Sequence, residues 1–272
     1  MMRAFFFDLR FLRAFLLGGA LVLATAAPQA ALAQTAGASR EGPTGLVTPG
    51  GDTRRFPSIF GTASAFPSPG GTGFVGLNYV NPRGGISGEG SDGDFGAGYT
   101  IGNPVENVSL TFGLSITSLK DFGADGSLSL SAARALVVGE RSLTFVGATA
   151  SNLAAWGDAR LNPEAYSIYV SRLSAIPLAG GELPIQLSAG YGDRITLSDD
   201  GLGRIDDGAF IGLGVGVSPN LSVSLSATET QLNAGIGFGI PEFPNLSIGM
   251  GVFDVTDNVE RRQFSLSVSL GF

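Results

Sequence analysis

From Thr72 to the last residue the chain alternates apolar and small polar side chains with a period of two. The last segment is the plainest case. Phe264, Leu266, Val268, Leu270 and Phe272 alternate with Gln263, Ser265, Ser267, Ser269 and Gly271. Successive side chains of a strand point to opposite faces, so this segment has one apolar face and one small polar face. Leu221, Val223 and Leu225 stand in the same way against Ser222, Ser224 and Ser226. So do Leu110, Phe112, Leu114 and Ile116 against Thr111, Gly113, Ser115 and Thr117. Between Ile211 and Val217 the small partner is glycine throughout.

The pattern predicts twelve strands, near 72–80, 94–102, 108–118, 126–138, 142–151, 165–173, 184–197, 208–217, 221–228, 231–239, 246–253 and 262–272. Ten is the alternative count. The segment at 126–138 is the weakest, because Arg134 falls on its apolar face unless a bulge shifts the register. The connections alternate long and short, with Ser174 to Leu183 the exception at medium length. Segments of 9–11 residues, tight turns on one side and longer loops on the other are the pattern of a barrel that spans a bilayer. The fold class this implies is all-β: a transmembrane antiparallel up-and-down β-barrel over residues 72–272.

Upstream, two stretches differ. Residues 1–33 carry Arg3, Arg10 and Arg13, then an apolar run from Ala14 to Ala27, then Ala31-Leu32-Ala33 before Gln34. That is the layout of a cleaved signal peptide, and the run is shorter than the ~20 residues of a spanning helix. Residues 34–71 hold Pro43, Pro49, Pro57, Pro67 and Pro69 without sustained alternation, and read as a periplasmic tether or a lumenal plug.

Composition sharpens the reading. Only 14% of the 272 residues are charged, against about a quarter in ordinary soluble domains, and the chain has a single lysine, Lys120. A soluble sandwich would turn a face rich in Lys, Glu and Arg to water, whereas the polar face here is Ser, Gly and Thr. The net charge of −7 offers no electrostatic footprint for nucleic acid. With no His and no Cys, the commonest general base, metal ligand and thiol nucleophile are all missing. The one conceivable dyad lysine, Lys120, sits in a loop. An enzyme is not expected, and no cofactor is implied.

The terminal run Phe264-x-Leu266-x-Val268-x-Leu270-x-Phe272 resembles the last strand of the bacterial outer-membrane β-barrel superfamily, which includes the porins. The resemblance covers nine residues. It implies an outer-membrane location in a Gram-negative bacterium, contact with lipid and lipopolysaccharide, and use of this strand as the signal read by the barrel-assembly machinery.

Candidate sites follow from which face is inward. The lumen is expected to be lined by Ser115, Thr117, Tyr169, Gln186, Ser222, Ser224, Gln263 and Ser265, with Arg172 or Arg134 near a mouth if either faces inward. Phe74 and Phe210 are further inward aromatic candidates. Tyr79, Tyr99, Phe112, Phe145, Trp156, Tyr166, Tyr191, Phe238, Phe264 and Phe272 fall near strand ends, as interfacial girdles do. Asp199, Asp200, Asp206 and Asp207, and a second group of Glu89, Asp92 and Asp94, are loop carboxylates that could meet Ca²⁺. Their spacing matches no EF-hand, and solvated surface loops are the simpler reading. The expectation is a narrow passive channel for small hydrophilic solutes. The rival is a non-conducting structural or surface-interaction barrel with acidic external loops.

Overall fold

A computed structural model describes residues 57–83, 90–178, 181–197 and 205–272. The proposed signal peptide, residues 34–56, Glu89, Asp199 and Asp200 lie outside the described residues. Twelve strands close into one antiparallel barrel in which each strand pairs with its neighbours in sequence. They are β1 (Thr72–Asn81), β2 (Asp92–Gly102), β3 (Ser109–Ile116), β4 (Gly126–Val138), β5 (Ser142–Trp156) and β6 (Ala165–Leu178). β7 (Gly181–Leu197), β8 (Ile205–Ser218), β9 (Leu221–Thr228), β10 (Leu232–Ile240), β11 (Phe243–Phe253) and β12 (Gln263–Gly271) complete the wall.

β12 closes the sheet on β1, with Tyr79 opposite Leu266 and Phe74 opposite Gly271. Reciprocal bonds between Gly73 and Phe272, 2.8 and 2.9 Å long, seal the bottom of that seam. Closure matters because an unpaired edge in hydrocarbon leaves backbone groups without partners.

Polarity is inverted relative to a soluble barrel. Leu225, Ile211, Phe112, Ile168 and Tyr191 are half exposed or more on the outside, while Ser171, Ser265, Thr100 and Ser127 are at most 1% exposed inside. A contiguous apolar exterior of this extent is a surface for lipid.

Several connections differ from the sequence reading. Ser174 to Leu183 is no medium loop: β6 and β7 continue in register through Ala175↔Pro184 to Leu178↔Gly181, which restores the long–short alternation. Pro177 and Pro184 had obscured the strand signal, because proline lacks the ladder donor. β5 likewise runs on to Trp156 before the short 3₁₀ turn Gly157–Leu161.

Two arginines and one aromatic need correction. Arg134 and Arg172 both face outward near the short-turn end rather than into a mouth. Of the three β4–β5 register shifts, the first two place the extra residue on β5 and the third falls between Ala135 and Val137, just past Arg134, so none turns that side chain inward. Arg172 instead contacts the Ser142 and Ser174 hydroxyls at 3.3 Å. Phe145, expected in a girdle, is wholly buried inside and meets Phe66 edge-on at 5.1 Å. Beside Phe145 the inner face is apolar, with Leu143, while the outer face carries Thr144 and Val146, so polarity could not mark the inner one.

Candidate functional site

The chain ahead of β1 enters the lumen. Residues 57–69 rise from the short-turn end beside β8 and β10, bend at mid-height and descend past β6 and β5 to Gly70 beneath β2. Their backbone is held by inward hydroxyls. The Phe60 N–H donates to Ser224 Oγ at 3.0 Å, and Ser226 Oγ donates to the Phe60 carbonyl at 2.6 Å. Ser188 Oγ donates to the Ala63 carbonyl at 2.7 Å, and the Ala65 N–H donates to Ser171 Oγ at 2.8 Å. Gln186 Nε2 reaches Ser64 Oγ at 2.6 Å. A segment without a ladder of its own thus borrows partners from the wall, as its buried backbone groups require.

Apolar residues of the segment find matching space. The Phe60 ring lies 4.5 Å from that of Phe253. A Cβ on Gly235 or Gly251 would come within 2.4 and 2.6 Å of Phe60, and one on Gly212 within 2.5 Å of Ile59. These glycines shape a seat. Beyond them Ala65 joins Leu143, Phe145, Tyr169, Leu173 and Phe210 in a buried apolar cluster, with Phe66 packed against it.

The other side of the lumen stays open. A cavity of about 300 Å³ lies between the segment and the inner faces of β2–β6. Its lining runs from Arg83, Arg194 and Arg261 at the long-loop end to Ser68 and Ser109 near the short-turn end. One tier of its wall is a row of hydroxyls in register across neighbouring strands: Thr100 opposite Thr111, Thr111 opposite Ser131, Ser131 opposite Thr149. The Thr100–Thr111, Ser131–Thr149 and Thr149–Tyr169 hydroxyl pairs are 2.9, 2.8 and 2.7 Å apart. Gly147 allows the last contact, since a Cβ there would strike the Tyr169 ring at 2.5 Å.

The mouth is built by buried polar anchors. Arg83 pairs with Asp94 at 2.8 Å and also donates to the Thr117 carbonyl, which ties the β1–β2 loop to β3. Asp92 is the second carboxylate beside Arg83, at 3.9 Å. Asp254 is fully buried and accepts from the Asn258, Val259 and Arg261 N–H groups, which fixes the loop carrying Arg261. A left-handed Arg194 (φ 57°) marks the β7–β8 register shift and sends its guanidinium to Asn162 Oδ1 at 2.7 Å.

The residues proposed from sequence therefore divide. Ser115, Tyr169 and Gln263 border the cavity. Gln186 and Ser224 point inward but are covered by the segment, and Ser222 lies beneath it, bonded to the Gly237 carbonyl. Ser265 is buried against Asn78 Oδ1 at 2.7 Å, and Thr117 belongs to the loop that Arg83 anchors. Phe74 and Phe210 both face the cavity. Phe264, Val268, Leu270 and Phe272 lie exposed on the outer wall, with Leu266 partly exposed beside them. Asp207 accepts from the Arg194 N–H at 3.4 Å, and Asp206 pairs with Thr196 in the sheet. Among the described residues no group of three or more carboxylates is placed to hold a metal ion.

Sequence reasoning passed over Ser127, Ser129, Ser131 and Thr149, which form much of the open wall. The signal was present: three serines alternate with Leu128 and Leu130 in the segment read as weakest.

No family model matches the chain, and no curated protein sequence matches it. Among solved structures it is similar to a KdgM porin in complex with disordered oligogalacturonate, at 8% identity and a TM-score of 0.49. That match covers 74% of this chain and 99% of the porin. It is also similar to the outer membrane protein Omp33 of Acinetobacter baumannii, at 10% identity and a TM-score of 0.46, over 74% and 97% of the two chains. An outer membrane channel from Pseudomonas putida gives 13% identity and a TM-score of 0.46, over 75% and 97%.

Proposed function

We propose that this protein is a narrow passive channel of the bacterial outer membrane for small hydrophilic solutes. The observation that carries the reading is a closed barrel, apolar outside and polar inside, with a cavity of about 300 Å³ along one side of its lumen. Twelve strands enclose more space than their own Ser, Gly and Thr side chains fill, and less than the ~16–18 strands of wide aqueous porins. Residues 57–69 narrow it further. In this reading residues 1–33 are a cleaved export signal, and 34–71 form the plug whose last part occupies the lumen. The terminal strand from Phe264 to Phe272 is read by the assembly machinery, and lipopolysaccharide contacts the long-loop rim.

The apolar cluster between the segment and β5–β8 favours the rival, a structural barrel that does not conduct. Single-channel recording on residues 34–272 in a planar bilayer separates the two. Small, discrete and reproducible current steps are expected. Silence from protein shown to be inserted would leave the structural barrel as the surviving reading.

A further inference from the structure

The cavity has a chemistry that the word hydrophilic does not capture. Every charged side chain in its lining, Arg83, Asp193, Arg194 and Arg261, sits at the long-loop mouth. Below that level the described lining is uncharged down to the short-turn end. One wall is hydroxyl: Thr111, Ser131 and Thr149 in one tier, Ser129 in the next, Ser115 and Ser127 above. The facing side sets apolar and aromatic groups, Ala65 and Phe66 from the segment and Phe74, Tyr169 and Phe210 from the barrel, among uncharged polar ones such as Thr62 and Ser64.

Four polar atoms of this lining are buried without a hydrogen-bond partner: Arg83 Nη1 at the charged mouth, 3.9 Å from Asp92, and the uncharged Ser115 Oγ, Thr62 Oγ1 and Asn152 Oδ1. Buried polar atoms are nearly always bonded, so unfilled valences around a cavity point to a guest that fills them. Hydroxyls both donate and accept, and the paired ones here can reverse direction, as neither partner is fixed as donor. A guest that suits them carries hydroxyls of its own on one side and C–H surface on the other. An ion would lose water there and find no counter-charge.

We propose that the slot is a selectivity site for uncharged polyhydroxy solutes of monosaccharide size, sugars or sugar alcohols. This rests on the channel reading and names its substrate class. The volume lies at the lower end of ordinary ligand pockets, so a single ring fits better than an oligomer. The hydroxyl tiers bond the rim of the ring, and the aromatic side takes its C–H face.

The test is the initial rate of entry of radiolabelled glucose, glucuronate and glucosamine into proteoliposomes at pH 6, where the amine is charged, with unitary ion conductance recorded in parallel. Glucose is expected to enter at least several-fold faster than either charged analogue. The triple variant Thr111→Val, Ser131→Ala and Thr149→Val keeps the slot's width to within a few atoms. It should remove most of that preference, the glucose rate falling toward those of the charged analogues, as befits a loss of hydrogen bonds to the solute. Ion current with a charged sugar entering as fast as glucose, or a triple variant that keeps the preference, would overturn the inference and leave the channel standing. Inserted protein that passes neither ions nor sugars would overturn both.

Discussion

The two halves of the lumen use the same alternation for opposite ends. On β8–β11 most inward positions are glycines and serines, and Gly212, Gly235 and Gly251 are vacancies moulded to Ile59 and Phe60. There the serines bond another stretch of the same chain. On β2–β5 glycine, serine and threonine fill most inward positions away from Leu143 and Phe145, but the hydroxyls bond one another in register and face open space. A small polar inner face is thus two things, a seat or a slot, and only the course of residues 57–69 decides which.

Removing that segment should have the largest effect. Deleting residues 57–69 frees the seat side, and unitary conductance in a planar bilayer should rise several-fold as the open cross-section grows. The outer wall, by contrast, should not distinguish the halves. Leu225→Lys on the seat side and Leu130→Lys on the slot side each put a charge on the lipid face, at an expected cost of about 2–4 kcal/mol near mid-bilayer. Reversible unfolding by guanidinium from liposomes would read both, and a large difference between them would contradict a uniform lipid belt.

Smaller substitutions sharpen the contrast. Gly235→Val drives a side chain into Phe60 and should destabilise by about 1–3 kcal/mol through overpacking, with noisier current as the segment lifts. Thr111→Val on the slot side deletes one hydroxyl contact to Thr100 and should cost only about 0.5–1.5 kcal/mol, with no added noise. The same unfolding assay ranks the two, and an equal effect would erase the distinction between seat and slot.

Much of this was legible in the chain. The twelve strands and their inward and outward faces follow from the period of two wherever one face is Ser, Gly or Thr and the other aliphatic. The reading failed where that contrast fades. At Phe145 the inner face is apolar and Thr144 lies on the outer one, and at Ser174 to Leu183 two prolines interrupt a ladder that nonetheless continues. The glycines at 212, 235 and 251 looked like any small lumenal residues, because a vacancy has no sequence signature until its occupant is known. Residues 57–69 gave no period at all, since they take hydrogen bonds from side chains of β6, β7 and β9 rather than from one neighbouring strand. Their place in the lumen is a tertiary fact.

The chain has no cysteine, so one can be introduced at a chosen wall position and read without background. Ser129→Cys places a thiol on the slot side, and Ser224→Cys places one beneath the Phe60 backbone. Each variant, inserted in a bilayer, would be exposed to a small water-soluble thiol reagent while current is recorded. The account predicts that Ser129→Cys is modified quickly and its current falls stepwise, whereas Ser224→Cys is protected until residues 57–69 are deleted. Equal modification of both in the intact chain would contradict a lumen divided into a covered seat and an open slot.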